Sequence, residues 1–411
     1  MTWSTSTLGK LVEHGDGLIQ TGPFGSQLHQ SDYVPDGIPV IMPKDIVDGR
    51  VAVDSVARVS EETAMRLSRH QLNPRTIVLP RRGDITKRAF ISEEQSGWLC
   101  GTGCVQIKLR GAELVPEFLY YYMEQSHVVR WLEQHAVGTT MLNLNTQIVA
   151  DLPVRYPGPE AQRRIADILY AYDDLIENNR RRMALLEEAA RQLYREWFVR
   201  LRFPGHEHTP ITNCVPEGWE RVRIGEIADC MGGGTPSTTV SAYWEDGEVT
   251  WVTPTDVTRN KHFVLLDSEK KITEAGLQSS SAKLVPPHAV LMTSRASVGF
   301  FAVAGREVCT NQGFISIVPQ EPTLSTYLLF HLSERVEEIR VMGSGSTYPE
   351  VSRGKFREFE VLFPRQSLAS AFDEQATQLL KQIRVLKQQN ERLRAARDLL
   401  LPRLMSGEIA V

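Results

Sequence analysis

The sequence predicts an α+β chain: two similar globular α/β blocks separated by two long helices that form an antiparallel coiled coil, with a pseudo-two-fold internal repeat. Three observations predict it. The 411 residues repeat themselves at an offset of about 207–216. Each half closes on a stretch whose apolar residues stand four and three apart. Each of those stretches also interrupts its apolar stripe with one asparagine.

Residues 1–157 and 205–364 are the two variable blocks, and residues 158–204 and 365–411 the regular segments that follow them. Trp3 and Leu8-Gly9-Lys10-Leu11 return as Trp219 and Ile224-Gly225-Glu226-Ile227. Pro43-Lys44-Asp45-Ile46 returns as Pro254-Thr255-Asp256-Val257. From Pro116 onward the offset holds at 207 without a gap, pairing Tyr120 with Tyr327, Gly138 with Gly345, Thr140 with Thr347 and Pro157 with Pro364. The offset drifts only inside the variable blocks, as expected of one fold carrying two differently tuned surfaces.

In the first regular segment Ile165, Leu169, Tyr172, Ile176, Asn179, Met183, Leu186, Ala190, Leu193 and Trp197 form the stripe. In the second it is Phe372, Ala376, Leu379, Ile383, Leu386, Asn390, Leu393, Arg397, Leu400 and Leu404. A spacing sustained this long is that of a coiled-coil seam, in helices of about 50 Å at roughly 1.5 Å per residue. Pro157 and Pro159 mark the start of the first helix and Pro204 its end. Pro364 precedes the second, and Pro402 falls in its last turn. In the symmetric antiparallel register Ile165 faces Leu404, Trp197 faces Phe372, and Asn179 faces Asn390. A buried amide pair fixes register, because a slip strands each amide among leucines. Helices paired this way imply a dumbbell, the geometry of a reader of two DNA half-sites about one helical turn apart.

No apolar run approaches the roughly 18 residues of a membrane span, and MTWSTSTLGK lacks the basic and apolar regions of a secretory signal. Cys100, Cys104, Cys214, Cys230 and Cys309 are scattered without a Cys-x-x-Cys pair, the pattern of reduced thiols in a cytoplasmic protein. A net charge of −4 argues against a protein that coats nucleic acid through bulk positive charge. Residues 1–157 hold 15 basic and 17 acidic residues, and residues 201–364 hold 15 and 20. Any nucleic-acid face is therefore confined to one side of a block.

Residues 79–90 read LPRRGDITKRAF, in which Arg81, Arg82, Lys87 and Arg88 stand against the single acid Asp84 around a predicted Gly83-Asp84 turn. Such a hairpin either reaches phosphates and guanine edges or is a solvated charged turn. Lys44 is a further candidate. In the second block Arg259, Asn260, Lys261 and His262 cluster, and Ser294 and Arg295 follow an apolar, strand-like run. The turn at Gly138, Thr139 and Thr140 leads into Asn143, Asn145, Thr146 and Gln147, with residues 344–348 as its partner in the second half. These polar groups either hydrogen-bond bases or pack against the helix start. The candidate DNA contacts are thus Lys44, Arg81, Arg82, Lys87, Arg88, Thr140, Asn143, Arg259, Lys261, Ser294 and Arg295.

No Gly-x-x-x-x-Gly-Lys-Ser/Thr loop and no Asn-Pro-Pro-aromatic methyltransferase signature occurs, and no serine, cysteine or carboxylate cluster invites a catalytic role. His206 and His208 are an isolated pair beside a linker proline, so no metal site is expected. The chain reads as non-catalytic.

Its motifs resemble those of the specificity subunits of type I restriction-modification systems. The first half carries Gly22-Pro23-Phe24-Gly25-Ser26 and Gly37-Ile38-Pro39-Val40-Ile41. The second carries Val215-Pro216-Glu217-Gly218-Trp219, Gly233-Gly234-Thr235-Pro236-Ser237 and Trp251-Val252-Thr253-Pro254, and closes with Leu401-Pro402-Arg403-Leu404-Met405-Ser406-Gly407-Glu408-Ile409. The resemblance covers essentially the whole chain. It implies two target recognition domains, each reading half of a split, asymmetric site in double-stranded DNA. It also implies helices that dock two methyltransferase subunits, which bind S-adenosylmethionine and flip the target adenine, and ATP-driven motor-nuclease subunits; this chain itself would hold no cofactor. One departure stands out: Arg365-Gln366-Ser367-Leu368 lacks the Pro-Glu-Ala-Gln start found at residues 159–162. A different class of function, a coiled-coil adaptor binding two protein partners, is compatible with the dumbbell alone; a methyltransferase would require S-adenosylmethionine binding by the isolated chain.

Overall fold

In the computed structural model, which describes residues 2–53, 56–138, 142–343 and 350–411, the unbroken apolar runs become central strands. The chain divides into two compact units, Met1–Leu175 with Arg392–Val411 and Ile176–Glu391. In the first, Ile77–Pro80 and Cys104–Lys108 pair antiparallel, flanked by Ala89–Phe90 and Leu18–Thr21. All of Ile77–Pro80 is buried, so the stretch shows none of the alternation of a half-exposed strand. A second sheet, ordered Leu99–Cys100, Ile38–Ile41, Ala57–Val59 and Tyr33–Val34, has its own small core around Leu28, Val40 and Leu67. Trp3–Thr7 pairs with Pro153–Pro157 and joins the two ends of the block.

The second unit repeats this plan. Ala228–Gly232, Phe314–Pro319, Val290–Thr293 and Phe301–Ala304 run antiparallel, and Val264–Leu265 adds a parallel edge. Lys270–Ile272, Val249–Val252 and Cys309–Thr310 form the smaller sheet. Glu220–Arg223 pairs with Glu360–Phe363 as the closing ribbon. The registers coincide as well: Thr7 faces Pro153 in one ribbon and Arg223 faces Glu360 in the other. The repeat in sequence is thus a repeat of fold, and both blocks are mixed sheet and helix as expected.

The long helices run over Pro159–Tyr194 and Gln366–Ser406. The units cut both of them instead of following the sequence boundaries at 157, 204 and 364, because each helix portion is buried with the block beside it. In the first unit Ile165 and Leu169 share a core with Leu401, Leu404 and Phe118. In the second Ala190 and Trp197 share one with Phe372, Ala376 and Phe330. Asn179 and Asn390 are both buried there, and Asn179 Nδ2 donates to Asn390 Oδ1 across 2.9 Å. Asn390 Nδ2 donates in turn to the Ile176 carbonyl at 3.1 Å. Trp197 and Phe372 lie 6.0 Å apart between ring centroids. Among the described residues no helix is long and apolar enough to cross a membrane.

Three details refine the expected helices. The first does not run as α-helix towards Pro204 but widens into a π turn over Arg195–Val199, closed by Arg200 N–H to Arg195 O at 2.7 Å. The wider turn lets the adjacent Trp197 and Phe198 both enter the core. Pro402 is accommodated inside the second helix, which stops at Gly407, where φ is +80°. The different helix starts also have a cause. Gln162, fully buried, accepts from Val115 N–H at 2.7 Å and donates to the Glu113 and Pro157 carbonyls. Its repeat equivalent, Ala369, is buried in an apolar core and makes no such bonds.

Candidate nucleic-acid interface

At one end of the sheet that holds Ile77–Pro80 in the first unit, the loop after that strand is pinned at its base by the backbone. Arg81 N–H donates to Gly103 O at 2.7 Å, and Leu144 N–H donates to Arg81 O at 2.8 Å. Gly83, at φ +78°, makes the turn that the Gly-Asp pair predicts. Arg82 and Asn143 sit opposite each other in an isolated antiparallel bridge. Arg81 Nε donates to Asn143 Oδ1 at 3.3 Å, and its guanidinium lies 5.8 Å from the centroid of Phe24, an exposed ring. Arg82 projects into solvent with no ion pair among the described residues. Lys44 is exposed on a turn whose Pro43 ring packs against Gly103. The loop segments holding Lys44, Arg81, Arg82 and Asn143 therefore converge on Gly103.

Two members of the sequence cluster are tied up. Lys87 is half-buried and lies 3.6 Å from Asp84. A hydrogen bond from Thr86 holds the Asp84 carboxyl below its usual range against some burial, with Lys87 adding to the effect. Arg88 is buried, and this corrects its assignment as a DNA contact. Its Nη2 lies 2.6 Å from Glu124, its Nε donates to Tyr120 O at 2.9 Å, and its guanidinium stacks 4.9 Å above the Tyr120 ring. Thr140 lies outside the described residues, as do residues 344–348 of the second half.

The second unit builds the same loop from different residues. Ser294 N–H donates to Gly313 O at 2.8 Å, and Val351 N–H donates to Ser294 O at 2.9 Å. Ala296 takes the place of Gly83 in the left-handed region, at φ +61°. Arg295 forms the isolated bridge with Glu350, as Arg82 does with Asn143. Arg82 and Arg295 are thus structural equivalents, and the repeat offset of 207 relates Asn143 to Glu350. Their surroundings differ. Arg295 Nη2 donates to both oxygens of Glu350, at 2.9 and 3.0 Å, so this arginine is held where Arg82 has no ion pair among the described residues. Ser294 is buried, both its backbone polar groups are spent, and it forms floor instead of rim.

Arg259 and Lys261 do not join this loop. Arg259 is exposed and pairs with Glu269 at 3.2 Å, and Lys261 is exposed beside Asn260 and His262, which are anchored to the helices. Lys387 Nζ donates to Asn260 Oδ1 at 2.6 Å, and His262 lies 3.5 Å from the buried Glu187. Next to Arg295 is an open cleft of about 780 Å³ that sequence reasoning missed. Lys283, Arg353 and Arg357 line it and Glu350 is the one acid among the described lining residues, so the wall is strongly basic in a block that is acidic overall. The available signal was Arg353-Gly354-Lys355-Phe356-Arg357, three cations in five residues, denser than the 79–90 cluster.

The chain is similar to known proteins. The family model described as the type I restriction modification DNA specificity domain matches twice, over residues 2–188 and 216–392. The type I restriction enzyme MjaIX specificity subunit of Methanocaldococcus jannaschii is 33% identical over 182 residues, 42% of this chain and 42% of its own length. The match therefore spans less than half of that relative. The HindI specificity subunit of Haemophilus influenzae is 21% identical over 384 residues, 78% of this chain and 83% of its own. The crystal structure of a type I restriction-modification system S subunit from M. genitalium has the same fold, with a TM-score of 0.60 at 15% identity, covering 98% of this chain and 96% of that one.

Proposed function

The chain belongs to the type I restriction modification DNA specificity family, and from that premise we propose that it is the sequence-reading subunit of a restriction-modification complex. Each block reads one half of a split, asymmetric site in double-stranded DNA. The chain performs no catalysis and scaffolds two methyltransferase subunits and the motor-nuclease subunits. S-adenosylmethionine and ATP belong to those partners, and the assembly works in the cytoplasm.

The observation that carries this reading is the equivalence of Arg82 and Arg295. One hairpin tip is presented twice, each time with an arginine, and each time beside a different neighbour, Asn143 or Glu350. Arginine is the commonest reader of guanine in the major groove, and a repeated frame with altered side chains at its tip is what two different half-sites require. An acidic total suits such a reader, since recognition through a few exposed cations needs no bulk positive charge.

The test is genomic. Methylome sequencing of a host with and without this protein is expected to reveal a two-part methylated motif that depends on it. Exchanging residues 1–150 for the matching block of a relative is expected to change one half of that motif. A change in both halves would overturn the modular reading, and a methylome indifferent to the protein would overturn DNA recognition itself.

A further inference from the structure

We propose that Lys283, Arg353 and Arg357 form a clamp for the DNA sugar-phosphate backbone, built into the second unit and absent from the first. The proposal rests on the DNA-reading function above, and names a binding site within it.

The argument begins with charge. The cleft beside Arg295 is lined by four cations and one carboxylate, and that carboxylate is committed to Arg295. Lys283, Arg353 and Arg357 are exposed and have no acidic partner among the described residues. Three unneutralised cations around one hollow repel each other, an arrangement that favours a polyanion as occupant. Arg353 and Arg357 stand four apart on the short helix Arg353–Arg357, so they share one face.

The floor is shaped for close approach. Gly232 and Gly233 line the cleft, and a Cβ on Gly232 would stand 3.2 Å from Arg353 Nε, so this glycine leaves room beside the guanidinium. Ser281 and Gln312 supply uncharged hydrogen-bonding groups on the wall. Phosphate positioning draws on just this mix of cations, hydroxyls and amides.

The repeat shows that the clamp is particular to this half. At the offset of 207, Arg353 corresponds to Thr146 and Arg357 to Ala150. The structure agrees with that alignment, since a Cβ on Gly9 would meet the Ala150 Cβ while one on Gly225 would meet the Arg357 Cβ. The first unit thus has the same helix without its cations. It offers Arg82 and the exposed Phe24 instead. The second half-site is gripped through the backbone more firmly than the first.

The experiment compares the full chain with the variant K283Q/R353Q/R357Q by fluorescence anisotropy, on a duplex selected by the wild type from a random pool and on a scrambled duplex. Each lost phosphate contact reduces the salt slope by about 0.9, so between about 50 and about 200 mM salt the wild type is expected to lose roughly 40-fold more affinity than the variant. The fall at low salt is expected on both duplexes alike. R353Q and R357Q, each at an exposed position, are measured singly so that a misfolded triple variant does not end the test. An unchanged slope, a loss confined to the selected duplex, or displacement of DNA by free ATP at equal phosphate concentration overturns the clamp. If the wild type binds no duplex, the DNA-reading function falls with it; if it binds and the variants match it, only the clamp falls.

Discussion

Asn179 donates its amide to Asn390 across 2.9 Å in a seam that is otherwise, Arg397 apart, built of aliphatic and aromatic side chains. The two residues are not repeat equivalents, so the pair is not a by-product of the duplication. It marks one layer of the helix pair as different from every other. Replacing Asn179 alone by Leu leaves the Asn390 side chain buried and short of a partner, at about 1–3 kcal/mol. Replacing both removes the orphan. Urea unfolding is therefore expected to rank N179L below N179L/N390L, and the reverse order would show that the layer sets nothing.

Arg82 is expected to act on DNA and Arg81 on both DNA and the loop. R82Q should lower affinity for the selected duplex by roughly 5- to 150-fold, the range for one good base contact, without shifting the melting temperature. The double reversal R81E/R82E should weaken binding further and flatten its salt dependence, with some loss of stability because Arg81 also holds Asn143. Binding that survives the double reversal would remove this hairpin from the interface.

Glu350→Asn gives the second hairpin the neighbour that the first one has. The Arg295 pair is half exposed, so losing it costs at most about 1 kcal/mol of stability. The freed guanidinium is expected to steepen the salt slope and to relax or change one half of the methylated motif. A motif identical to the wild type's would mean that Glu350 does not tune Arg295.

His331 makes stability sensitive to acid. Burial, reinforced by Arg335, pushes its imidazole from 6.5 down to about 3, while Tyr194 and Tyr327 bond Nδ1 and Arg335 faces Nε2. Below about pH 6.5 the unfolded chain takes up a proton that the folded chain refuses. The contribution of the neutral ring is complete above that pH and falls by up to about 1.4 kcal/mol per unit as pH drops toward 3. Urea melts at pH 7 and pH 5 should show a smaller difference for His331→Gln than for the wild type. Equal differences would place the acid sensitivity elsewhere.

What the sequence makes legible is set by the range of the physics. The seam is local periodicity, and so the facing of Trp197 with Phe372 and of Asn179 with Asn390 can be read from spacing alone. The hairpin is local as well, since Gly83 and the strand before it announce the turn. Arg88 could not be sorted from Arg82 in the same way. Its partner Glu124 stands 36 positions away, and only the packing of the block brings them together. Arg353 and Arg357 share one short helix, but Lys283 stands 70 positions before Arg353, and only the folded chain brings it to the same cleft.

The half-buried ion cluster of the first unit carries a consequence for inheritance. Arg397 lies 3.5 Å from Glu124, is paired with Asp173 on the other helix, and Glu124 in turn holds Arg88. At the repeat-equivalent positions the second unit has His331, Leu380 and Ala190, all buried. The same joint is ionic in one copy, whereas the other holds a histidine, a leucine and an alanine. A globular block and the helix portions beneath it have therefore been matched to each other, residue by residue. A genetic crossover at the start of a helix would seat Glu124 against an alanine, or His331 against an arginine. Successful recombinants are expected to carry their breakpoints within the helices, near Leu175 and Arg392, where a block travels with its own foundations.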